Sequence, residues 1–560
     1  MNSGSGWKTG SKIFLVNPNL VTMGFATITS RWMYVIAAAT PDRFGRPVIV
    51  DEALRPFNLD TIEQGDVVGI GSYTANIHNA YALGRKAKER GAFVVYGGSH
   101  PSAVPEEALD ARYGHGDAVV VGDGDIAWGE LLRDYANGCP KEIYKTGTGR
   151  IPAEDFVPAD WSFLERGRYC IPSVQTVRGC PEECTFCSVW TQDGRVPRHR
   201  SADAVMKELT ELYGMGFRLV FLADDNFNPA TAKRIRESGD LPAARREELI
   251  FQRRERFRLM AMMAELPKDM YFGTQITMDT ADEPDFLEAM RKARIASVLV
   301  GVETVSRAGL TELKKYFNAD GEALVAKLRR FQEYGIGVLA SCIFGLESDQ
   351  PESFGDTLEV LKKAKVPFAQ FIPKRVYLAT VEFWKLEKRL KAENGGVLPL
   401  VPGTEVPVSR TWLLPPDEKP AWAFNINETM EWSEIRSRTA KAWRDFYRLA
   451  TIIRRARSFP IPWPYLFRFV ALSITFYKFY SRSGTGISSD AVRYTPIPWP
   501  VRQLLRLCRV FFVGKPMPDL QVPGLPSGYQ DPDFVVDPVE PARSVVVPES
   551  QLAIIGSKGD

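Results

Sequence analysis

Cys180, Cys184 and Cys187 stand in the stretch Arg178-Gly-Cys-Pro-Glu-Glu-Cys-Thr-Phe-Cys187, at spacings of four and three residues, with an aromatic just before the last. Thiolates this close together point to a metal or a cluster. Biological [4Fe–4S] clusters usually take four cysteines. No fourth cysteine follows nearby, so one iron of such a cluster would be left open for another ligand. Two plainer readings use the same residues: small core side chains, or part of a zinc site finished by a distant histidine. Zinc knuckles favour paired Cys-x2-Cys arms followed by a second pair or by histidines, whereas His199 stands alone here. The spacing favours a reactive cluster.

Such a loop needs a rigid frame. Ser173 to Val177 reads as a strand running directly into it, and further strands read at Leu219 to Ala223, Tyr271 to Ile276, Ser297 to Gly301, Gly337 to Gly345 and Phe368 to Ile372, with helices such as Ala202 to Tyr213 and Glu283 to Lys292 between them. Six strand–helix units predict a partial barrel over residues 173–375, with reactive groups at the carboxyl ends of the strands. Asp224-Asp225-Asn226, Gln275, Glu303 and Ser341 fall there. An Asp-Asp-Asn after a strand also serves as a helix cap or turn, so the residues alone leave both uses open.

Upstream, strands at Lys12 to Asn17, Pro47 to Asp51, Asp66 to Gly71, Ala92 to Gly97 and Asp117 to Gly122 alternate with helices at Trp32 to Ala39 and Ala80 to Arg90. This pattern predicts an α/β domain over residues 11–144 with a doubly wound, Rossmann-like parallel sheet, whose ligands bind beyond the carboxyl ends of its strands. Ser72, Tyr73, Thr74, Gly97, Gly98, Gly122 and Gly124 cluster at those ends. Each glycine taken singly also makes a plain turn, but three strand ends in succession suit the close approach of a bulky ligand.

Residues 145–172 read as a linker carrying Pro152, Pro158 and Trp161. Residues 376–515 form a mainly helical region with a charged helix from Trp432 to Arg457 and the pentapeptide Pro-Ile-Pro-Trp-Pro at 460–464 and again at 496–500. Between Phe446 and Lys515 there are twelve Lys or Arg and one acid, Asp490, so this stretch carries a formal +11 and the rest of the chain −8. In the helix after the second pentapeptide, Arg502, Arg506 and Arg509 share one side, and Leu504, Leu505, Leu507 and Phe511 lie largely on the other. Packing on the enzyme is the first reading of such a face and peripheral membrane contact the second; with no binding module beside the arginines, no nucleic-acid partner is expected. Residues 1–10 read as a flexible start. Residues 516–560, with eight prolines in 45 positions, read as an extended or disordered tail.

At 560 residues the chain is long enough for several domains, and 45% hydrophobic with 25% charged residues is an ordinary globular balance. Seven cysteines, an odd number with three clustered, argue against a secreted disulfide framework and for a reducing cytoplasm. The N-terminus has no apolar signal core, and no run of about 18 apolar residues suggests a membrane span.

Cys-x3-Cys-x-Phe-Cys with Arg178-Gly179 before it resembles the signature of the radical S-adenosylmethionine (SAM) superfamily. Val95-Tyr-Gly-Gly-Ser-His-Pro101, Pro105-Glu-Glu and Val121-Gly-Asp-Gly-Asp125 resemble the cobalamin-binding domain that precedes the radical core in one subclass. Residues 11 to about 480 together resemble the cobalamin-dependent radical SAM family that includes the anaerobic magnesium-protoporphyrin IX monomethyl ester cyclase and radical SAM methylases. Trp161 with Tyr169 and Pro172, Cys187-Ser-Val-Trp190 and Phe221-Leu-Ala-Asp224 carry the rest of the likeness.

The resemblance implies a [4Fe–4S] cluster on Cys180, Cys184 and Cys187, whose open iron chelates SAM and whose electron cleaves it to a 5′-deoxyadenosyl radical. It implies SAM contacts from Phe186, Asp224, Asp225, Gln275, Glu303 and Ser341, with Phe344-Gly345 beside the adenine. It also implies cobalamin held by Ser72, Tyr73, Thr74, Gly97, Gly98, Gly122 and Gly124. One departure stands out. Many cobalamin domains carry Asp-x-His-x-x-Gly after the first strand, whereas this chain has Asn17-Pro-Asn-Leu-Val-Thr-Met-Gly24. His78 and His100 are the nearest histidines, and cobalamin without a protein histidine below it is expected. The activity implied is C-methylation of an unactivated carbon in a small hydrophobic biosynthetic intermediate, with electrons from a reductant such as a flavodoxin or ferredoxin. An anaerobic oxidative cyclase acting on a tetrapyrrole-like substrate is the alternative, and a non-catalytic cobalamin or cluster sensor the second.

Overall fold

The computed structural model describes residues 7, 8, 10–19, 22, 26–165, 167–415, 418, 427, 429–456 and 463–480. The second pentapeptide, the arginine-bearing helix after it and the proline-rich tail fall outside these residues, as do residues 1–6 and 9 of the start of the chain.

Among these described residues sixteen strands follow in chain order. They are β1 (Ile13–Asn17), β2 (Ala26–Ile28), β3 (Val48–Asp51), β4 (Val67–Gly71), β5 (Phe93–Gly97), β6 (Ala118–Val120), β7 (Ile143–Tyr144) and β8 (Tyr169–Ile171), then β9 (Ser173–Val174), β10 (Val177–Arg178), β11 (Arg198–His199), β12 (Leu219–Leu222), β13 (Tyr271–Ile276), β14 (Ile295–Glu303), β15 (Gly337–Phe344) and β16 (Phe368–Pro373).

The first sheet has the order β3-β1-β4-β5-β6-β7 and is parallel throughout. Its central strands are apolar at nearly every position because helices cover both faces. Phe14, Val16, Val68, Ile70, Val94 and Tyr96 pack on one side with helix Ile77–Glu89. Ile13, Leu15, Val67, Phe93 and Val95 pack on the other with helices Trp32–Ala38 and Gly124–Ala136. The chain leaves β1 for β3 on one side and β4 on the other, so the crevice where strand order reverses opens beyond Asn17 and Gly71. Strand β7 extends this sheet beyond the five strands expected.

The second sheet runs β9-β12-β13-β14-β15-β16, also parallel. The expected single strand from Ser173 to Val177 is broken in two. Asp224 draws the Thr176 and Val177 amides to its carboxylate, which pulls the backbone off the ladder and lets Val177–Arg178 pair antiparallel with β11.

An incomplete barrel leaves an edge strand with unpaired backbone groups, and the C-terminal helices cover it. The Tyr447 hydroxyl accepts from the Ala369 N–H at 3.1 Å and donates to the Ala369 carbonyl at 2.8 Å. Trp443 Nε1 donates to the Phe371 carbonyl at 2.8 Å, and Arg455 donates to that of Pro367. The expected helix from Trp432 to Arg457 is accordingly two helices, Trp432–Phe446 and Leu449–Ala456, separated at the Tyr447 that reaches the edge. Farther back, Phe383 and Trp412 insert into the core of the first domain beside Tyr81 and Ala80, so the C-terminal region packs against both sheets. Among the described residues no helix is long and apolar enough to cross a membrane.

Candidate active site

A cavity of about 480 Å³ lies at the carboxyl edge of the first sheet, where it faces the start of the second. Ser72, Tyr73, Gly97, Gly98, Gly122 and Gly124 line it, together with Trp32, Trp128, Gln175 and Arg178. Gly98 is required twice over: its φ is +95°, and a Cβ there would overlap the Ser72 carbonyl. The Ser72 hydroxyl is buried and has no partner within the protein, so it is free for a ligand.

Thr74 is a correction. It is not among the lining residues, and its hydroxyl lies 3.1 Å from His100 Nδ1. His100 is itself fully enclosed, with Nε2 2.9 Å from Glu107 Oε1. Both ring nitrogens are therefore engaged, and burial lowers the pKa of the imidazole despite its acidic neighbour. No histidine lines the cavity among the described residues.

The cysteine loop follows β10 directly. Gly179, with φ +92°, donates to Asp225 Oδ2 at 2.8 Å, and a Cβ there would press on the carbonyls of Asp193 and Gly194. The Cys180 N–H donates to the Gly194 carbonyl at 3.1 Å, Thr185 to that of Leu313 at 3.2 Å, and Trp190 Nε1 to that of Cys184 at 3.0 Å. All three cysteines are free thiols, Cys184 buried and the others half-buried. Burial raises the pKa of each, that of Cys184 to about 12 while Lys315 pulls against the rise. Among the described residues no three Cys, His, Asp or Glu converge on one ion position. A four-iron cluster does not need such convergence, because its cysteines bind separate irons.

Arg178 joins the loop to the cavity. Its guanidinium donates to Asp123 Oδ1 at 2.7 Å and to Asp125 at 2.9 and 3.1 Å, and it stacks 3.9 Å from the Phe156 ring centre. The two carboxylates belong to the Gly122-Asp-Gly-Asp125 turn that lines the cavity, and Arg198 also binds Asp123. Arg178, Asp123 and Asp125 stood in motifs recognised separately, but nothing in a linear sequence pairs residues more than fifty positions apart.

The residues expected at SAM divide. Asp224 is a correction: it is fully buried and accepts from Thr176 N and Oγ1 and from Val177 N, with Arg256 at 4.0 Å. Its acceptor capacity is spent inside the protein, as in the turn reading. Asp225 holds Gly179, and burial followed by the Asp193 carboxylate push its pKa up. Gln275 donates to the Asp224 carbonyl at 3.1 Å.

Glu303 ends β14, and Ser341 lies on the neighbouring β15 two positions before the Ile343 that Phe186 touches. Glu303 pairs with buried Lys315 at 2.7 Å in space that the missing side chain of Gly301 leaves open. Ser341 accepts from Gln370 Nε2 at 2.8 Å, leaving Gln370 Oε1 buried without a partner. Phe186 packs on Leu313, Ile343 and Leu346. Phe344 is also corrected, since it stacks on Phe354 at 4.3 Å in the core beneath a helix and not at the mouth. Lys315, Lys374, Glu382 and Gln370 escaped the sequence reading, because isolated charged or amide residues near strand ends carry no spacing signal.

Residues 29–132 match the B12 binding domain, and residues 174–361 match the Radical SAM superfamily. The chain carries a B12-binding domain and a radical SAM domain. The bacteriochlorophyllide d C-12(1)-methyltransferase of Chlorobaculum tepidum is 27% identical to it over 348 residues, 59% of this chain and 69% of that protein. The hopanoid C-2 methylase of Rhodopseudomonas palustris is 27% identical over 345 residues, 60% of each chain, so the matches leave 31% and 40% of these two relatives' length uncovered. In fold the chain is similar to the cobalamin-dependent SAM radical enzyme OxsB with aqua-cobalamin bound, at TM-score 0.57 and 12% identity, over 90% of this chain and 80% of that one.

A [4Fe–4S] cluster, SAM and cobalamin are accordingly the cofactors of these two domains. The residues present fit them. The glycine-floored cavity with its unpartnered Ser72 hydroxyl suits a large ligand beside the B12-binding sheet, and three free cysteines on one pinned loop suit a cluster in the radical SAM domain.

Proposed function

We propose that this chain is a cobalamin-dependent radical SAM C-methyltransferase acting on an unactivated carbon of a small hydrophobic intermediate. The observation that carries the reading is the Arg178 contact, which fastens the cysteine loop to the turn lining the cobalamin cavity. Methyl transfer to a substrate radical needs both cofactors to face one substrate, and this contact fixes the distance between their sites. The methyltransferase and methylase names of the two relatives support the same choice over cyclisation.

When bound, the cluster and SAM supply a 5′-deoxyadenosyl radical and cobalamin supplies the methyl group. In this reading Cys180, Cys184 and Cys187 hold the cluster. Glu303 Oε2 and the open Gln370 amide oxygen offer acceptors on the inner face for the ammonium or hydroxyls of SAM. Ser72 hydrogen-bonds the cobalamin, and Gly97, Gly98, Gly122 and Gly124 give its tail room. An external low-potential reductant supplies the electrons.

The test is anaerobic turnover with SAM, reductant and host extract, in which 5′-deoxyadenosine and S-adenosylhomocysteine are quantified together. Methylation predicts comparable, extract-dependent amounts of both, one SAM serving as radical source and one as methyl donor. Deoxyadenosine alone would refute methylation and favour the cyclase.

A further inference from the structure

Two ion pairs, one buried and one partly so, flank Phe186, which precedes the third cysteine. Lys315 Nζ lies 2.7 Å from Glu303 Oε1, with both side chains almost wholly enclosed, and 5.9 Å from the Phe186 ring centre. Lys374 pairs with Glu382, and its Nζ lies 5.4 Å from the same ring. Glu382 in turn accepts from the Thr185 hydroxyl at 2.8 Å. Buried ion pairs are poor stabilisers, because desolvation offsets most of their attraction. The site is nonetheless built for one of them: any side chain on Gly301 would overlap both Glu303 and Lys315.

A charge fixed in a low-dielectric interior acts strongly on a neighbouring group that gains an electron, and cluster potentials follow local charge, hydrogen bonding and exposure. Within the pair the ammonium is the group seated against the loop, its Nζ over the ring of Phe186. We infer that Lys315, held in place by Glu303, raises the reduction potential of a cluster bound by Cys180, Cys184 and Cys187, and so makes its one-electron reduction by an external donor easier. The inference rests on the proposed cluster site. The reduction adds one electron to the cluster and breaks no bond, so Lys315 is a positioning charge and not a proton donor.

The test uses the full chain, reconstituted anaerobically with iron and sulfide, without SAM, and titrated with dithionite. The reduced fraction is read from the low-temperature EPR signal of the reduced cluster. At the wild-type midpoint, Lys315→Met is expected to lower the reduced-to-oxidised ratio about tenfold, which for a one-electron couple is about 59 mV. Glu303→Gln is expected to raise the ratio, because it frees Lys315 from its counter-charge. Lys315→Arg, which keeps the charge, should stay within about threefold of wild type.

Wild-type ratios in both Lys315→Met and Glu303→Gln, or a rise in Lys315→Met, would overturn the inference. If Lys315→Met does not assemble a cluster, Glu303→Gln decides alone, and an unchanged or lower ratio there overturns it. Failure of the cluster site would look different: no reduced-cluster signal in the wild type, or the same signal in Cys184→Ala.

Discussion

Asp349 illustrates how one buried carboxylate writes a pH dependence into the molecule. It sits just past β15, where Oδ2 accepts from the Gly345 and Leu346 amides at 2.8 and 3.1 Å, and burial pushes its pKa up to about 6 in spite of them. The folded state therefore holds this proton more tightly than the unfolded chain, whose Asp titrates near 4. Stability from this group is full below about pH 4 and is lost as pH rises toward and past about 6. Asp349→Asn keeps an acceptor for both amides and removes the charge. It should stabilise the protein, by about 1 kcal/mol more at pH 8 than at pH 5, in urea unfolding followed at both pH values; an equal gain at the two would refute the assignment. Residue identity and residue use part company at such sites. The cysteines, Ser72 and Gly98 could be picked out because chemistry or backbone conformation demands their types. Asp224 could not be placed, because a carboxylate after a strand looks the same whether it faces a ligand or ties down Thr176 and Val177.

The elements were readable wherever a continuous apolar run had to be a buried parallel strand, as in Ile13–Asn17, Val67–Gly71 and Phe93–Gly97. The reading failed where a side chain from elsewhere interrupted one. Asp224 splits the strand before the cysteine loop, and the pull of Tyr447 on Ala369 accompanies the break in the helix after Trp432. Both interruptions are tertiary hydrogen bonds, invisible to periodicity. The loop that presents the cysteines depends on another such bond. Arg178→Ala would leave buried Asp125 without its cation and buried Asp123 with Arg198 alone, and should destabilise the fold by about 3–5 kcal/mol. Arg178→Lys keeps the charge but loses the forked geometry, and should cost clearly less. Urea midpoints of the two variants, measured beside the cobalamin retained through gel filtration, check this; equal midpoints would mean that the guanidinium fork is not what joins the loop to the cavity.

At the scale of the whole molecule, three regions distinct in sequence do not fold as three separate bodies. Trp412 lies in the core of the first domain, where its Nε1 donates to Glu107 at 3.2 Å and its ring meets His100 at 5.3 Å. Trp412→Ala is predicted to cost about 3–5 kcal/mol and to speed amide hydrogen exchange in helix Ile77–Glu89, against which it packs. Exchange unchanged in that helix would place the loss elsewhere. The sequence offered no hint of this return, since a lone tryptophan in a loop-rich segment has no periodic partner. The return also sets a timetable. During synthesis the last strand of the first sheet leaves the ribosome about 270 residues ahead of Trp412. At cellular elongation rates that is an interval on the order of 10 to 50 s, in which the first domain waits with an open seam in its core. The B12-binding domain therefore gains this part of its core only after the radical SAM domain has been made.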